Sequence, residues 1–206
     1  MRVLSRRRFL QALSVLTAGT VLAAGNSAGA VPTAWKPTAD RLPLMMDQSL
    51  LDDDERSAFE RRALGAGMDV CWLTLNDAMR LCQAFAHFDR IARPGMVSRP
   101  VAALIARPAM AFALRAQIEP RWRVLLSAQT RQAQGIAQHR LIGSDTLVQQ
   151  CREGACVWRS VTGLARDLRR LAASSHRASM AADRREVHVR SAAWRGGDVA
   201  AWLAVG

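Results

Sequence analysis

The chain has no tyrosine, a single lysine (Lys36) and two asparagines, whereas arginine and alanine are abundant. This skew is typical of a GC-rich genome, because arginine and alanine codons are GC-rich. Part of the net charge of +12 therefore needs no binding function to explain it. Beyond the first 30 residues, no run is long and apolar enough for a transmembrane helix.

The motifs that usually mark a catalytic or metal site are also missing. The four cysteines form neither the Cys-x-x-Cys of thioredoxin-like catalysts nor the Cys-x-x-Cys-His of haem attachment. There is no His-Glu-x-x-His zinc motif, no Gly-x-Ser-x-Gly nucleophile elbow and no phosphate-cradling glycine loop. The sequence marks no catalytic residue and no cofactor, and whether the protein is an enzyme stays open.

The N-terminus has the three-part layout of an export signal. A basic start precedes a short apolar stretch at residues 12–24, and the small residues Ala28 and Ala30 follow as a cleavage site. The start resembles the twin-arginine consensus at five positions: Ser5, Arg6, Arg7, Phe9 and Leu10. This resemblance implies recognition by the twin-arginine translocation machinery, cleavage after Ala30 and a periplasmic location.

Charge is distributed unevenly along the predicted mature chain. Residues 31–99 carry nine basic and ten acidic residues, whereas residues 100–206 carry sixteen basic and seven acidic ones. If the helix predicted at residues 164–177 begins earlier, it lines up four arginines on one face as a partner-binding stripe: Arg159, Arg166, Arg170 and Arg177. Such a stripe suits an acidic protein partner or an anionic membrane surface, and we expect no nucleic-acid partner.

The hydrophobic pattern predicts a mainly α fold, a compact helical domain of about five helices at residues 47–206. A proline-containing leader or linker at residues 31–46 precedes it. The predicted helices cover residues 50–64, 77–92, 100–118 with a break at Pro108, 121–134 and 164–177, and a short helix follows Asp198. Residues 68–75 fit a strand or a helix, residues 146–163 fit a β-hairpin or a helix, and residues 186–189 fit a short strand.

The cysteines leave two arrangements open. In the hairpin interpretation, Cys151 and Cys156 face each other and form a disulfide, while Cys71 and Cys82 are buried thiols. In the other, Cys71 and Cys82 are each joined to a cysteine of the 151/156 pair, since an oxidising periplasm permits disulfides.

The sequence favours a non-catalytic accessory or partner-binding subunit of an exported complex. The alternative is a metal-handling or cofactor-dependent periplasmic enzyme that uses Cys71, Cys82 and His87. That alternative draws on a continuous helix from residue 68, which would align Met68, Cys71 and Cys82 as soft ligands of the kind that select Cu(I).

Overall fold

Seven strands pair into one mixed sheet in the computed structural model, which describes residues 41–73, 100–118, 122–155, 158–178, 184–192, 194 and 196–206. The strands are β1 (Leu42–Asp47), β2 (Met68–Leu73), β3 (Val101–Ala106), β4 (Arg123–Ala133), β5 (Ile136–Ser144), β6 (Arg184–Ser191) and β7 (Val199–Val205). Their order across the sheet is β2-β1-β3-β7-β4-β5-β6. β1 is parallel to β2 and β3, and the remaining neighbours are antiparallel. The predicted mainly α fold is therefore wrong.

Four α-helices accompany the sheet in the described parts of the chain. They are α1 (Asp53–Gly65), α2 (Pro108–Ile118), α3 (Asp145–Ala155) and α4 (Val161–Ala178). A 3₁₀ turn, Gln48–Leu50, follows β1. All described residues belong to one compact unit, Lys36–Gly206.

The first helix begins later than the sequence predicted, because a different residue caps it. Asp52 accepts a hydrogen bond from the Glu55 amide at 2.8 Å, and the Glu55 carboxylate accepts one from the Asp52 amide at 3.2 Å. This reciprocal capping box fixes the start of α1 at Asp53. Ser49, which directly precedes the predicted helix start at residue 50, instead bonds Asp47.

Two segments predicted as helix are central strands. The sequences of β3 (VAALIA) and β7 (VAAWLAV) are apolar throughout, and their residues are buried apart from Val101, which is partly exposed. A strand covered on both faces has no polar alternation to reveal it. Alanine and leucine also favour helices, so these runs predicted helix wrongly.

The predicted helix over residues 121–134 is also wrong, because β4 and β5 form a hairpin there. Gln134 and Gly135 both have positive φ, at 52° and 77°. This is the backbone of a two-residue type I′ turn, which matches the twist of the strands it joins. Along β5, buried His139 and Leu141 alternate with exposed Gln138 and Arg140, which is the period of a half-buried strand.

The described residues of the range 146–163 form no hairpin. Residues Leu147, Val148, Cys151 and Ala155 are the buried face of α3, at helical spacing. The helix predicted at 164–177 is confirmed within α4, and its apolar residues Val161, Leu164, Leu168 and Leu171 are buried.

The two faces of the sheet carry separate layers. Alternate residues of β3 and β7, such as Ala103 and Leu203, join α1, α3 and α4 in one hydrophobic core. The residues between them, such as Leu104 and Trp202, are buried but lie outside that core. Because successive strand residues point to opposite faces, α2 packs on the second side, where it contacts β3 and β7.

A candidate binding site at the carboxyl edge of the sheet

A charged pair joins the carboxyl ends of two neighbouring parallel strands. Asp47 ends β1, and its side chain is fully buried. Arg107 follows β3 and donates from Nε to Asp47 Oδ2 at 3.0 Å, while its own side chain is 43% exposed. The Ser49 amide and hydroxyl donate to the other carboxylate oxygen, at 3.0 and 2.7 Å. The pair therefore fixes the turn after β1, because a buried carboxylate is stable only with such partners.

This position matters because of the strand order. From β1 the chain passes to β2 on one side, whereas β3 lies on the other side. Open α/β sheets bind ligands outside the carboxyl ends of their strands at such a switch point. The topology therefore predicts a ligand-binding site at this edge of the sheet.

A cleft of about 650 Å³ opens beside the same edge. Three parts of the chain line it: the start of α1 with the preceding turn, the start of α4, and the loop between β6 and β7. The lining residues are Leu50, Leu51, Glu55, Arg159, Ser160, Val161, Ala192, Gly196 and Gly197. Its volume falls within the usual range of small-molecule sites.

The start of α4 gives the cleft a positive end. The first intrahelical hydrogen bonds run from Gly163 and Leu164 to the carbonyl of Ser160, at 3.1 and 3.3 Å. The first turn of α4 holds no acidic residue, unlike that of α1. A helix N-terminus carries about half a positive charge, and exposed Arg159 adds a full one beside it. This arrangement suits an anion.

Glu55 supplies the acidic side of the cleft. One of its carboxylate oxygens accepts the Asp52 amide in the capping box. The lining thus combines a guanidinium with a carboxylate. That combination suits a ligand with an anionic end and a hydrogen-bond-donating end.

A buried histidine and two tryptophans lie next to the cleft residues. The His139 ring makes edge contacts with Trp158 and Trp194, with ring centroids 5.2 and 5.9 Å apart. Trp158 directly precedes Arg159, and a Cβ on Gly196 would approach the Trp194 ring to 2.7 Å. The tryptophans therefore pack against the segments that shape the cleft.

Burial controls the protonation of His139. Its Nδ1 lies 2.9 Å from the Thr130 hydroxyl, and its Nε2 has no hydrogen-bond partner within the described ranges. Desolvation lowers the pKa of His139 from 6.5 to about 4. The imidazole is therefore neutral at pH 7 and adds no charge to the site.

The predicted Cys151–Cys156 disulfide is wrong. Cys151 and Cys71 are both buried, and neither forms a disulfide. Cys151 lies on the core face of a helix, so the hairpin that would have set it opposite Cys156 does not exist. Desolvation, and then the Asp167 carboxylate, raise the pKa of the Cys151 thiol to about 12.

The predicted alignment of Met68 and Cys71 on one face of a helix, as soft metal ligands, is also wrong. Met68 and Cys71 lie on a strand, three positions apart, and therefore face opposite sides of the sheet. Only Met68 belongs to the shared hydrophobic core. Within the described ranges, no three acidic, histidine or cysteine side chains gather as a metal site.

The four arginines of the predicted stripe do not act alike. Arg159 lies before α4 and lines the cleft, whereas Arg166 is exposed on the helix. Arg170 donates to the Gln150 carbonyl at 3.0 Å and pairs with Asp167 at 3.4 Å. The side chain of Arg177 lies outside the described part.

Several predicted positions also lie outside the described residues. They are Ser5, Arg6, Arg7, Phe9, Leu10, Ala28, Ala30, Cys82, His87 and Cys156.

Sequence reasoning missed the residues that structure brings to this edge. Asp47 and Arg107 are 60 positions apart, and nothing in their local sequence links them. Ser160 and Val161 do carry a signal, since a small polar residue before an apolar helical stripe marks a helix start.

No helix in the described ranges has the length and apolarity needed to span a bilayer. Comparisons with known protein families, with curated proteins and with solved structures found no match.

Proposed function

We propose that the mature chain is an exported binding protein that holds a small anionic ligand in the carboxyl-edge cleft. The observation that carries this proposal is the position of Arg159, which lines a cleft of about 650 Å³ together with the start of α4. Export rests on the resemblance of the N-terminus to twin-arginine signals.

The charge arrangement supports binding rather than stability. Acidic residues stabilise a helix N-terminus, by about 0.3–1 kcal/mol each, and a cation there does the opposite. Arg159 therefore weakens α4 in the absence of a ligand. An anion at this end would interact favourably with both the guanidinium and the first helical amides.

The test measures anion binding by the chain of residues 31–206 with two matched variants. Isothermal titration would use inorganic phosphate, sulfate, succinate and glutamate as probes. Arg159→Gln removes the cleft guanidinium, and Arg166→Gln removes an exposed arginine further along the same helix. We expect at least one probe to bind, with affinity at least tenfold weaker in Arg159→Gln and within twofold of wild type in Arg166→Gln. Equal losses in both variants, or no binding by any probe, would refute the proposal.

Export has its own test. Intact mass spectrometry of the protein recovered from its host's periplasm should give a chain that begins at Val31. A full-length mass, or recovery from the cytoplasm alone, would contradict export while leaving the cleft proposal standing.

A further inference from the structure

The solvent-facing side of β4, β5 and β6 carries an excess of arginine. We call it the outer sheet face, and its exposed residues are Arg131, Ala133, Ile136, Gln138, Arg140, Arg184, Glu186, His188 and Arg190. With His188 neutral, four arginines and one glutamate leave a net charge of +3. This is a strongly basic surface for part of three strands.

The strand register defines this face. Ala128, Leu141 and Val189 belong to the hydrophobic core on the side of α3. Their neighbours along each strand therefore point the other way. The exposure agrees, because exposed Gln138 and Arg140 alternate with buried His139 and Leu141 on β5, and exposed His188 and Arg190 flank buried Val189 on β6.

The outward side chains form rows across the strands. Arg140 pairs in register with His188, and Arg131 with Gln138, which in turn pairs with Arg190. Neighbouring strands are about 4.8 Å apart, and alternate residues of one strand about 6.7 Å apart. The face thus presents charges at the spacing of an extended chain.

The Glu186 carboxylate lies on this face and shows how its arginines bind a carboxylate. Arg140 holds Glu186 with two hydrogen bonds, from Nε at 2.8 Å and from Nη2 at 2.9 Å. These bonds, with a further one from His188, lower the pKa of Glu186 to about 2. Arg131, Arg184 and Arg190 make no ion pair with any described residue.

We propose that the outer sheet face is a docking surface for an acidic segment of a partner protein. Carboxylates of the partner would meet the guanidinium groups of Arg131, Arg184 and Arg190, in the geometry that Arg140 and Glu186 display. Arginine forks match carboxylates in two-point hydrogen bonds, which gives direction as well as attraction.

The composition of the face favours a protein partner over other polyanions. β4, β5 and β6 contain no phenylalanine, tyrosine or tryptophan, so the face offers no aromatic platform for bases to stack on. It also lacks the broad apolar side that a membrane-surface element buries among lipids, since its exposed apolar residues are Ala133 and Ile136 at the β4–β5 turn and the others are polar.

The experiment measures binding of a fluorescent 12-residue peptide of alternating glutamate and threonine to the chain of residues 31–206. The test variant is Arg131→Glu with Arg190→Glu. The control is Arg61→Glu with Arg152→Glu, which makes the same charge change at two exposed arginines on α1 and α3. Circular dichroism would verify that both variants keep the fold.

We expect saturable binding by anisotropy at about 50 mM salt that weakens as salt rises, because exposed charges are screened. The outer-face variant should lose at least tenfold in affinity, and the control should stay within twofold. Equal losses would show that net charge alone attracts the peptide and would overturn the proposal. So would absence of peptide binding, or tighter binding to single-stranded DNA or to vesicles of anionic phosphatidylglycerol.

Discussion

Protonation of His139 should make the folded protein lose stability in mild acid. The ring is fully buried, and its pKa of about 4 lies below the value of 6.5 expected for the unfolded chain. Between pH 4 and pH 6.5 the imidazole is protonated in the unfolded chain and neutral in the folded protein. The free energy of unfolding therefore falls as the pH falls. The contribution of neutral His139 to the free energy of unfolding is present above pH 6.5. It decreases as the pH falls to about 4, where the folded form also takes up the proton.

The magnitude follows from the two pKa values. The whole difference corresponds to about 3 kcal/mol, and the part lost between pH 7 and pH 4.5 is about 2 kcal/mol. That is a large share of the 5–15 kcal/mol typical of a folded domain.

The assay is urea unfolding at pH 7 and pH 4.5, followed by tryptophan fluorescence, for wild type and for His139→Gln. Glutamine has no titrating group and keeps an amide for Thr130. Carboxylate titrations are shared by both proteins and cancel when the two pH differences are subtracted. We expect the free energy of unfolding of wild type to fall by about 2 kcal/mol more than that of the variant. Parallel losses would refute the reasoning, and an NMR titration of the imidazole would then locate the error in the folded-state pKa.

Three further predictions concern stability and reactivity. Asp47→Ala should lower the free energy of unfolding by about 3 kcal/mol in urea titrations, because it removes charged hydrogen bonds inside the sheet edge; a loss under 1 kcal/mol would contradict this. Cys151 should resist iodoacetamide in the folded protein and react in urea, as mass spectrometry can follow, because it is buried as a protonated thiol; rapid alkylation without denaturant would count against this. Gly154→Ala should cost about 1–2 kcal/mol, because its Cβ would overlap the Asp167 carboxylate, whereas Gly65→Ala meets open space and should be neutral or stabilising; the reverse order would contradict the packing.

Some helices and strands could be predicted from the local sequence, because only one type of secondary structure fits their residue pattern. The acidic residues of α1 suit only a helix N-terminus. The stripe from Val161 to Leu171 in α4 repeats at three and four residues, which no strand can place on one side. The short strand predicted at residues 186–189 lies within β6, where polar and apolar residues alternate.

Other elements could not be read locally, because burial on both faces removes the pattern. β3 and β7 are apolar runs, rich in alanine, valine and leucine, that suit a helix as well as a strand. Their state depends on neighbours far along the chain. β7 lies between β3 and β4, so its backbone groups are satisfied only when both distant strands are present.

The sequence alone determined the resemblance to an export signal, the basic second half and the amphipathic helices, since each depends on residues close together in the chain. Only the tertiary structure decided the sheet, the cleft and the charged pair of Asp47 and Arg107. Strand pairing joins residues such as Ala103 and Leu203, a hundred positions apart. All residue types except proline make the same backbone hydrogen bonds, so these bonds do not show in the sequence which strands are partners.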